Sequence, residues 1–266
     1  MATVTTIEEQ LRAFEEGRAF RDRSSDRALM VRGNDARRWL GDLVTADVAT
    51  LEPDTSRRSL LLSPTGRIRA DLTVAERRDG SFLILQHADQ PEAIGGMLAP
   101  YVLSSAVELE EATTRFSVFE HVESGRLTEH APTGTDEIVV DTAVWEIWRV
   151  RRGDPLMGVD FPHEALPAEA GLEWTIDLQK GCFLGQESVA KIRNLGHPPR
   201  TVRYLRTDAR VVPGDHLMAA GARVGSITSV APASDSGWVL LATVDWAAVD
   251  LALTTSDGVE LSPIAV

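Results

Sequence analysis

The sequence predicts an α+β fold with a small β-barrel domain at its carboxy-terminal end, and three observations lead there. Strand-like stretches come in clusters broken by single helices, not in the evenly spaced alternation of a parallel βαβ repeat. No GxGxxG or Walker sequence marks a nucleotide-binding crossover. From Thr201 the pattern changes to short strands and glycine-containing turns, in TVRYLRTD, DHLMAAGARVGSITSV, WVLLATVD and VELSPIAV. A closed or half-closed barrel would hide the edges of such strands. The expected division is residues 1–199 and residues 200–266, with the boundary near Pro198-Pro199.

Each element has its own signal. Thr6-Ile7-Glu8-Glu9 has capping-box spacing, and Ile7, Leu11 and Phe14 follow at helical intervals, so a helix opens the chain. RALMVR, from Arg27, reads as a strand. Asn34 is placed to cap a helix whose stripe is Ala36, Trp39, Leu40, Leu43 and Val44. Ser59 to Val74 reads as two strands joined by a Ser-Pro-Thr-Gly turn, Ser81 to Gln86 gives a third, and the three are expected to pair in sequence. After Pro91 comes a helical stripe of Ala93, Ile94, Met97, Leu98 and Tyr101. AVELEE, RFSVFEHV, EIVVD and AVWEIWRV then read as further short strands.

The bulk numbers exclude several classes. At 266 residues the chain is long enough to bury a core as one large domain or two smaller ones, and 43% hydrophobic with 25% charged residues is the composition of an ordered globular protein. The longest apolar stretches, such as Trp238 to Val244, are strand-sized, and MATVTTIEEQ lacks the basic and apolar regions of a signal peptide. A cytoplasmic protein without membrane insertion is expected. One cysteine makes no internal disulfide, and CxxC, HxxxH and HExxH spacings are absent, so no self-contained zinc or iron–sulfur site is expected. A net charge of −13 argues against a whole-surface nucleic-acid binder. Locally the balance reverses. Between residues 180 and 206, Lys180, Lys191, Arg193, Arg200, Arg203 and Arg206 face Glu187 alone, a local +5 that suits an anion.

That segment also holds the only cysteine, in DLQKGCFLGQESVAKIRN. Gly181 and Gly185 bracket Cys182, and paired glycines let a backbone bend sharply or lie close to a neighbour. A lone cysteine is as often a small buried hydrophobe. Against that, the chain's two lysines, Lys180 and Lys191, both lie here, and a short helix is expected to start near Gln186. Cations and a helix start favour thiolate over thiol, which makes Cys182 the candidate nucleophile, metal ligand or redox group. His197, fifteen residues on, reads better as a surface or anion-binding residue than as its general base.

LQKGCFLGQESVAKIRNLGHPPR resembles the KGC(Y/F)xGQE signature of the YgfZ-type proteins. That family is built on the fold of the glycine-cleavage aminomethyltransferase, and its mitochondrial relatives assist iron–sulfur cluster assembly. MVRGNDARRWLGDLVTADVATL and LLSPTGRIRADLTV resemble the family's amino-terminal half, and Pro213 to Val244 its carboxy-terminal barrel. The resemblance implies an aminomethyltransferase-like fold and a pocket for tetrahydrofolate or a related reduced folate. It assigns that pocket to Asp71, Arg151, Lys180, Gln186, Glu187 and Arg200, with Cys182 beside it and no permanently bound metal. A pterin's amino-pyrimidine edge suits a carboxylate such as Asp71, and a folate tail suits Arg or Lys.

The departures are as informative. Ala70 stands where the transferase has a second aspartate, Arg151 where it has a pocket glutamate, and Met157 where it has a tyrosine. Cys182 and Gln186 stand where its KGDFIGRE motif has aspartate and arginine. These changes argue against aminomethyl transfer. What remains is an accessory protein for iron–sulfur cluster assembly or repair. Its expected partners are client or assembly proteins, with tRNA at most indirectly, and the expected role of Cys182 is that of one shared cluster ligand. Two alternatives stay open: a tetrahydrofolate-dependent one-carbon transferase using Asp71, with Arg200 or Lys180 on the tail, and a module docking tRNA phosphates on the +5 segment. Structural roles compete for the candidates too, since Asp71 can cap a turn, Glu187 can pair with Lys191, and Arg200 can cover a domain junction.

Overall fold

The computed structural model describes residues 5–264 other than 104, 116 and 135. Its chain forms two compact units, Met1–Val144 with Thr175–Gln186, and Trp145–Trp174 with Glu187–Val266.

The first unit opens with α1 (Ile7–Glu15), and Thr6 and Glu9 form the expected capping box. Then follow β1 (Ala19–Asp22), β2 (Arg27–Arg32), α2 (Ala36–Gly41), β3 (Ser56–Leu62), β4 (Ile68–Glu76), β5 (Phe82–Gln86), α3 (Ile94–Leu98), β6 (Glu108–Glu111), β7 (Phe119–His121), β8 (Leu127–Thr128) and β9 (Ile138–Val140). Five strands make a sheet in the order β3-β4-β5-β2-β6, and four make another in the order β8-β7-β1-β9, where only β1 and β9 pair in parallel. β3, β4 and β5 pair in sequence as expected, through a tight turn in which Gly66 N donates to Ser63 O. Strand alternation sends Leu29, Val31, Leu72, Val74 and Ile84 into one apolar cluster with Trp39, Leu40 and Leu98. Ala28, Met30, Leu83 and Leu85 enter a second cluster, with Val118 and Leu127.

The second helix differs from expectation. Its cap is Asp35, not Asn34, and Asp35 spends its side chain on Ala106 N at 2.8 Å instead of on the helix. Leu43 and Val44 still reach the core, but beyond the helix end at Gly41.

α4 (Thr142–Arg151) replaces the strand expected over AVWEIWRV. Val144, Ile147 and Val150 recur every third residue, and Arg149 bonds Glu146 one turn back at 2.7 Å, so the apparent alternation is one face of a helix. α5 (Pro167–Ala170) and α6 (Gln186–Leu195) follow. β10 (Arg200–Thr207), β11 (His216–Ala219), β12 (Ala222–Pro232), β13 (Trp238–Asp245), β14 (Leu253–Thr255) and β15 (Glu260–Pro263) then close into a six-stranded barrel in the order β10-β13-β12-β11-β14-β15. Its interior holds Leu205, Leu217, Ile227, Leu240, Val244 and Leu261. The molecule is thus α+β, with a closed barrel at the carboxy-terminal end. Of the stretches expected as strands, parts of RFSVFEHV and VELSPIAV, at 116 and 265–266, lie outside the described residues.

Candidate functional site

Cys182 is exposed, at the tip of a segment pinned on both sides. On the approach, Thr45 Oγ1 donates to Thr175 O (3.1 Å) and Asp177 N donates to Thr45 O (3.0 Å). Asp177 Oδ1 in turn accepts from Gln179 N and Lys180 N, which tightens the turn into the tip. Lys180 then reaches into the end of α2. Its ammonium donates to the carbonyls of Gly41 (2.7 Å), Val44 (2.5 Å) and Ala46 (2.9 Å), and lies 5.2 Å from the centre of the Phe183 ring. Three donors meet three acceptors, one the last carbonyl of α2 and two in the segment just after it, so the lysine ties the helix end to the chain that follows.

After the tip, Leu184 N donates to Asp42 O (3.0 Å), and Gly185 turns the chain at φ +84°. A Cβ at Gly185 would stand 2.5 Å from Ser63 O and 3.0 Å from Leu62 Cβ, so only glycine lets this backbone lie on the β3–β4 turn. Gln186 closes the loop, its Oε1 accepting from Phe183 N at 3.3 Å, and begins α6. By contrast a Cβ on Gly181 would meet nothing within 4 Å.

Asp71 lies in the middle of β4, 9% exposed, and caps no turn. Arg58, opposite Thr73 on β3, takes both of its carboxylate oxygens, through Nε to Oδ1 (2.9 Å) and Nη2 to Oδ2 (2.6 Å). Arg58 carries no motif and was missed in the sequence. Its only signal is the two-residue offset from the position across from Asp71, which cross-strand pairing converts into a diagonal contact.

The first unit therefore holds Asp71, Lys180, Cys182 and Gln186, and the second holds Arg151, Glu187 and Arg200. Arg151 donates to Pro232 O (2.8 Å) and Ala233 O (3.2 Å). Met157 is buried. Glu187 and Lys191 are exposed on α6 and form no ion pair among the described residues. Arg200 is exposed at the start of β10, opposite Asp245. His197 stacks on Trp246, with ring centres 5.1 Å apart. The +5 segment is partly engaged within the fold, because Lys180 donates to carbonyls and Arg206 is offset by Asp235 at 3.0 Å. Among the described residues no cluster of three or more His, Cys, Asp or Glu could hold a metal ion, and no helix is long and apolar enough to cross a membrane.

The fold matches that of the glycine cleavage system aminomethyltransferase T of Bartonella henselae. That structure superposes with a TM-score of 0.78 at 19% identity, covering 96% of this chain and 88% of that one. This chain therefore has the aminomethyltransferase fold. Within it, residues 2–121 match the GCVT N-terminal domain. An aminomethyltransferase of Nostoc is 25% identical over 251 residues, covering 71% of this chain and 66% of that protein. The mitochondrial iron–sulfur cluster assembly factor IBA57 homologue of Mycosarcoma maydis is 24% identical, covering 77% of this chain and 59% of that protein. A chloroplastic protein of Arabidopsis thaliana is 29% identical over 48% of this chain and only 30% of its own length. The chain thus spans less than two thirds of these three relatives.

The resemblance read from the sequence implies a site for tetrahydrofolate or a related reduced folate. Three of the side chains expected to receive it are engaged within the fold: both oxygens of Asp71 by Arg58, all three donors of Lys180 by carbonyls, and Oε1 of Gln186 by Phe183 N. As they stand, Asp71, Lys180 and Gln186 do not fit a folate, because the one carboxylate among them already has both oxygens taken by Arg58.

Proposed function

We propose that this chain is a YgfZ-type accessory protein of iron–sulfur cluster assembly or repair, with Cys182 as a transient thiolate ligand beside a folate-type site. The observation that carries this reading is the exposed thiol on a tip whose flanks are held by Lys180, Leu184 and Gly185. A transient ligand needs a sulfur that a partner can reach, on a backbone that does not follow the sulfur when it is pulled. One thiolate does not hold a cluster, since such clusters take four protein ligands, so a client protein or a small thiol supplies the others. The likeness to the Mycosarcoma maydis assembly factor supports the reading. In this proposal the protein works in the cytoplasm. Cells carrying Cys182→Ser are expected to lose iron–sulfur enzyme activity under oxidative stress, and full activity in those cells overturns the thiol role.

A second reading, a tetrahydrofolate-dependent one-carbon transferase, is favoured by the likeness to the Nostoc aminomethyltransferase. It predicts turnover of a methylene or methyl folate by purified protein, and turnover that survives Cys182→Ser.

A further inference from the structure

The two faces of β4 are buried differently. Ala70, Leu72 and Val74 enter the apolar cluster. On the other face, by strand alternation, Arg69 pairs with Glu92 (2.7 Å), Asp71 with Arg58, and Thr73 accepts from Arg23 (2.9 Å). Asp71 sits at the centre of this polar row. Gln90 holds its backbone from the side, with Nε2 donating to Asp71 O (2.7 Å) and Oε1 accepting from Asp71 N (3.0 Å). Gln86, fully buried, donates to Gln90 Oε1 in turn at 3.3 Å. The stretch of backbone that carries the carboxylate is therefore held from both sides.

What meets them is a planar donor pair. The Arg58 guanidinium offers two roughly parallel N–H bonds from one N–C–N edge, and the pair is largely buried, with side chains 17% and 9% exposed. An amino-pyrimidine offers the same pattern, a ring N–H beside an exocyclic amine, at nearly the same spacing. We propose that Arg58 is an internal counter-ligand: its guanidinium holds the two-point acceptor of Asp71 that a pterin edge would otherwise take, so a reduced folate enters this site only by displacing Arg58. The inference rests on the folate-type reading of the pocket. Displacement breaks a largely buried charge-assisted pair, and folate affinity in the native protein is correspondingly weak.

The test titrates the full chain with folinate and follows the fluorescence of its six tryptophans. Arg58→Ala is expected to bind folinate about 10- to 100-fold tighter than the native protein, the effect of one charge-assisted pair. Free guanidinium ion should compete with folinate in Arg58→Ala and leave the native protein unmoved, because it refills the vacated position; a purely structural arginine gives no such competition. Adding Asp71→Asn to Arg58→Ala should abolish the gain. Should the alanine variant fail to fold, Arg58→Gln keeps one donor on Asp71 and should show a smaller gain in the same direction. Equal or weaker binding by the Arg58 variants overturns the counter-ligand while the folate reading stands. Absence of folinate binding in every variant overturns both.

Discussion

Lys180 shows how a residue chosen for its charge comes to serve a different end. The local excess of cations suggested a ligand for a folate tail, yet its ammonium finds three carbonyls at the end of α2. Nothing in the spacing of KGC announces an acceptor set some 135 residues earlier. Burial pulls the Lys180 ammonium down to about 8, against the opposing pull of Asp47, Asp177 and Asp42. In the unfolded chain the group titrates near 10.5, so between the two values the unfolded state carries more protons. Stability from this group accordingly rises with pH across that window, and is flat below about 8, where both states are protonated. Lys180→Met should remove the rise. It should also cost about 2 kcal/mol at neutral pH through the lost charge-assisted bonds. Urea midpoints of both proteins at a series of pH values check this, and an unchanged slope in the variant assigns the titration to another group.

At the scale of elements, the cysteine loop and α4 were read from sequence with opposite success. The paired glycines correctly marked a bend at Cys182, but only the coordinates separate their roles. Gly185 lies against the backbone of Ser63 at positive φ, whereas Gly181 borders open space. Gly185→Ala should therefore destabilise by about 1–3 kcal/mol and change the rate at which a thiol reagent labels Cys182. Gly181→Ala should change stability by less than about 0.5 kcal/mol. Thermal melting with labelling kinetics distinguishes the two, and equal effects of both substitutions would refute the docking of Gly185 on the β3–β4 turn. α4 was misread because a run of eight mostly apolar residues, AVWEIWRV, suits a short strand as well as one helix face. Tertiary contact decides between them, and the decisive residue is Arg149, buried and charged, which the strand pattern leaves unexplained.

At the scale of the whole molecule, the second unit is tied by one buried polar network. Asp160, 1% exposed, accepts from Arg149 Nη1 (2.8 Å), Leu156 N (2.9 Å), Thr228 Oγ1 (2.6 Å) and Ser229 Oγ (2.6 Å), joining α4, the loop after it and β12. Asp160→Ala leaves the Arg149 guanidinium buried without its main partner and should cost about 3–5 kcal/mol, measured by urea unfolding. A loss below about 1 kcal/mol would show that the network relaxes around the gap. By itself the sequence determined the α+β class, the carboxy-terminal barrel and the β3–β4–β5 pairing. Each rests on periodicity, turn chemistry or a compact motif, which are local and survive in one dimension. Only the tertiary structure decided which charges are spent inside the fold. Arg58 on Asp71, Lys180 on three carbonyls and Arg149 on Asp160 are pairings between separate strands, loops and helices, and a buried charge is settled by whatever partner the packing brings within reach.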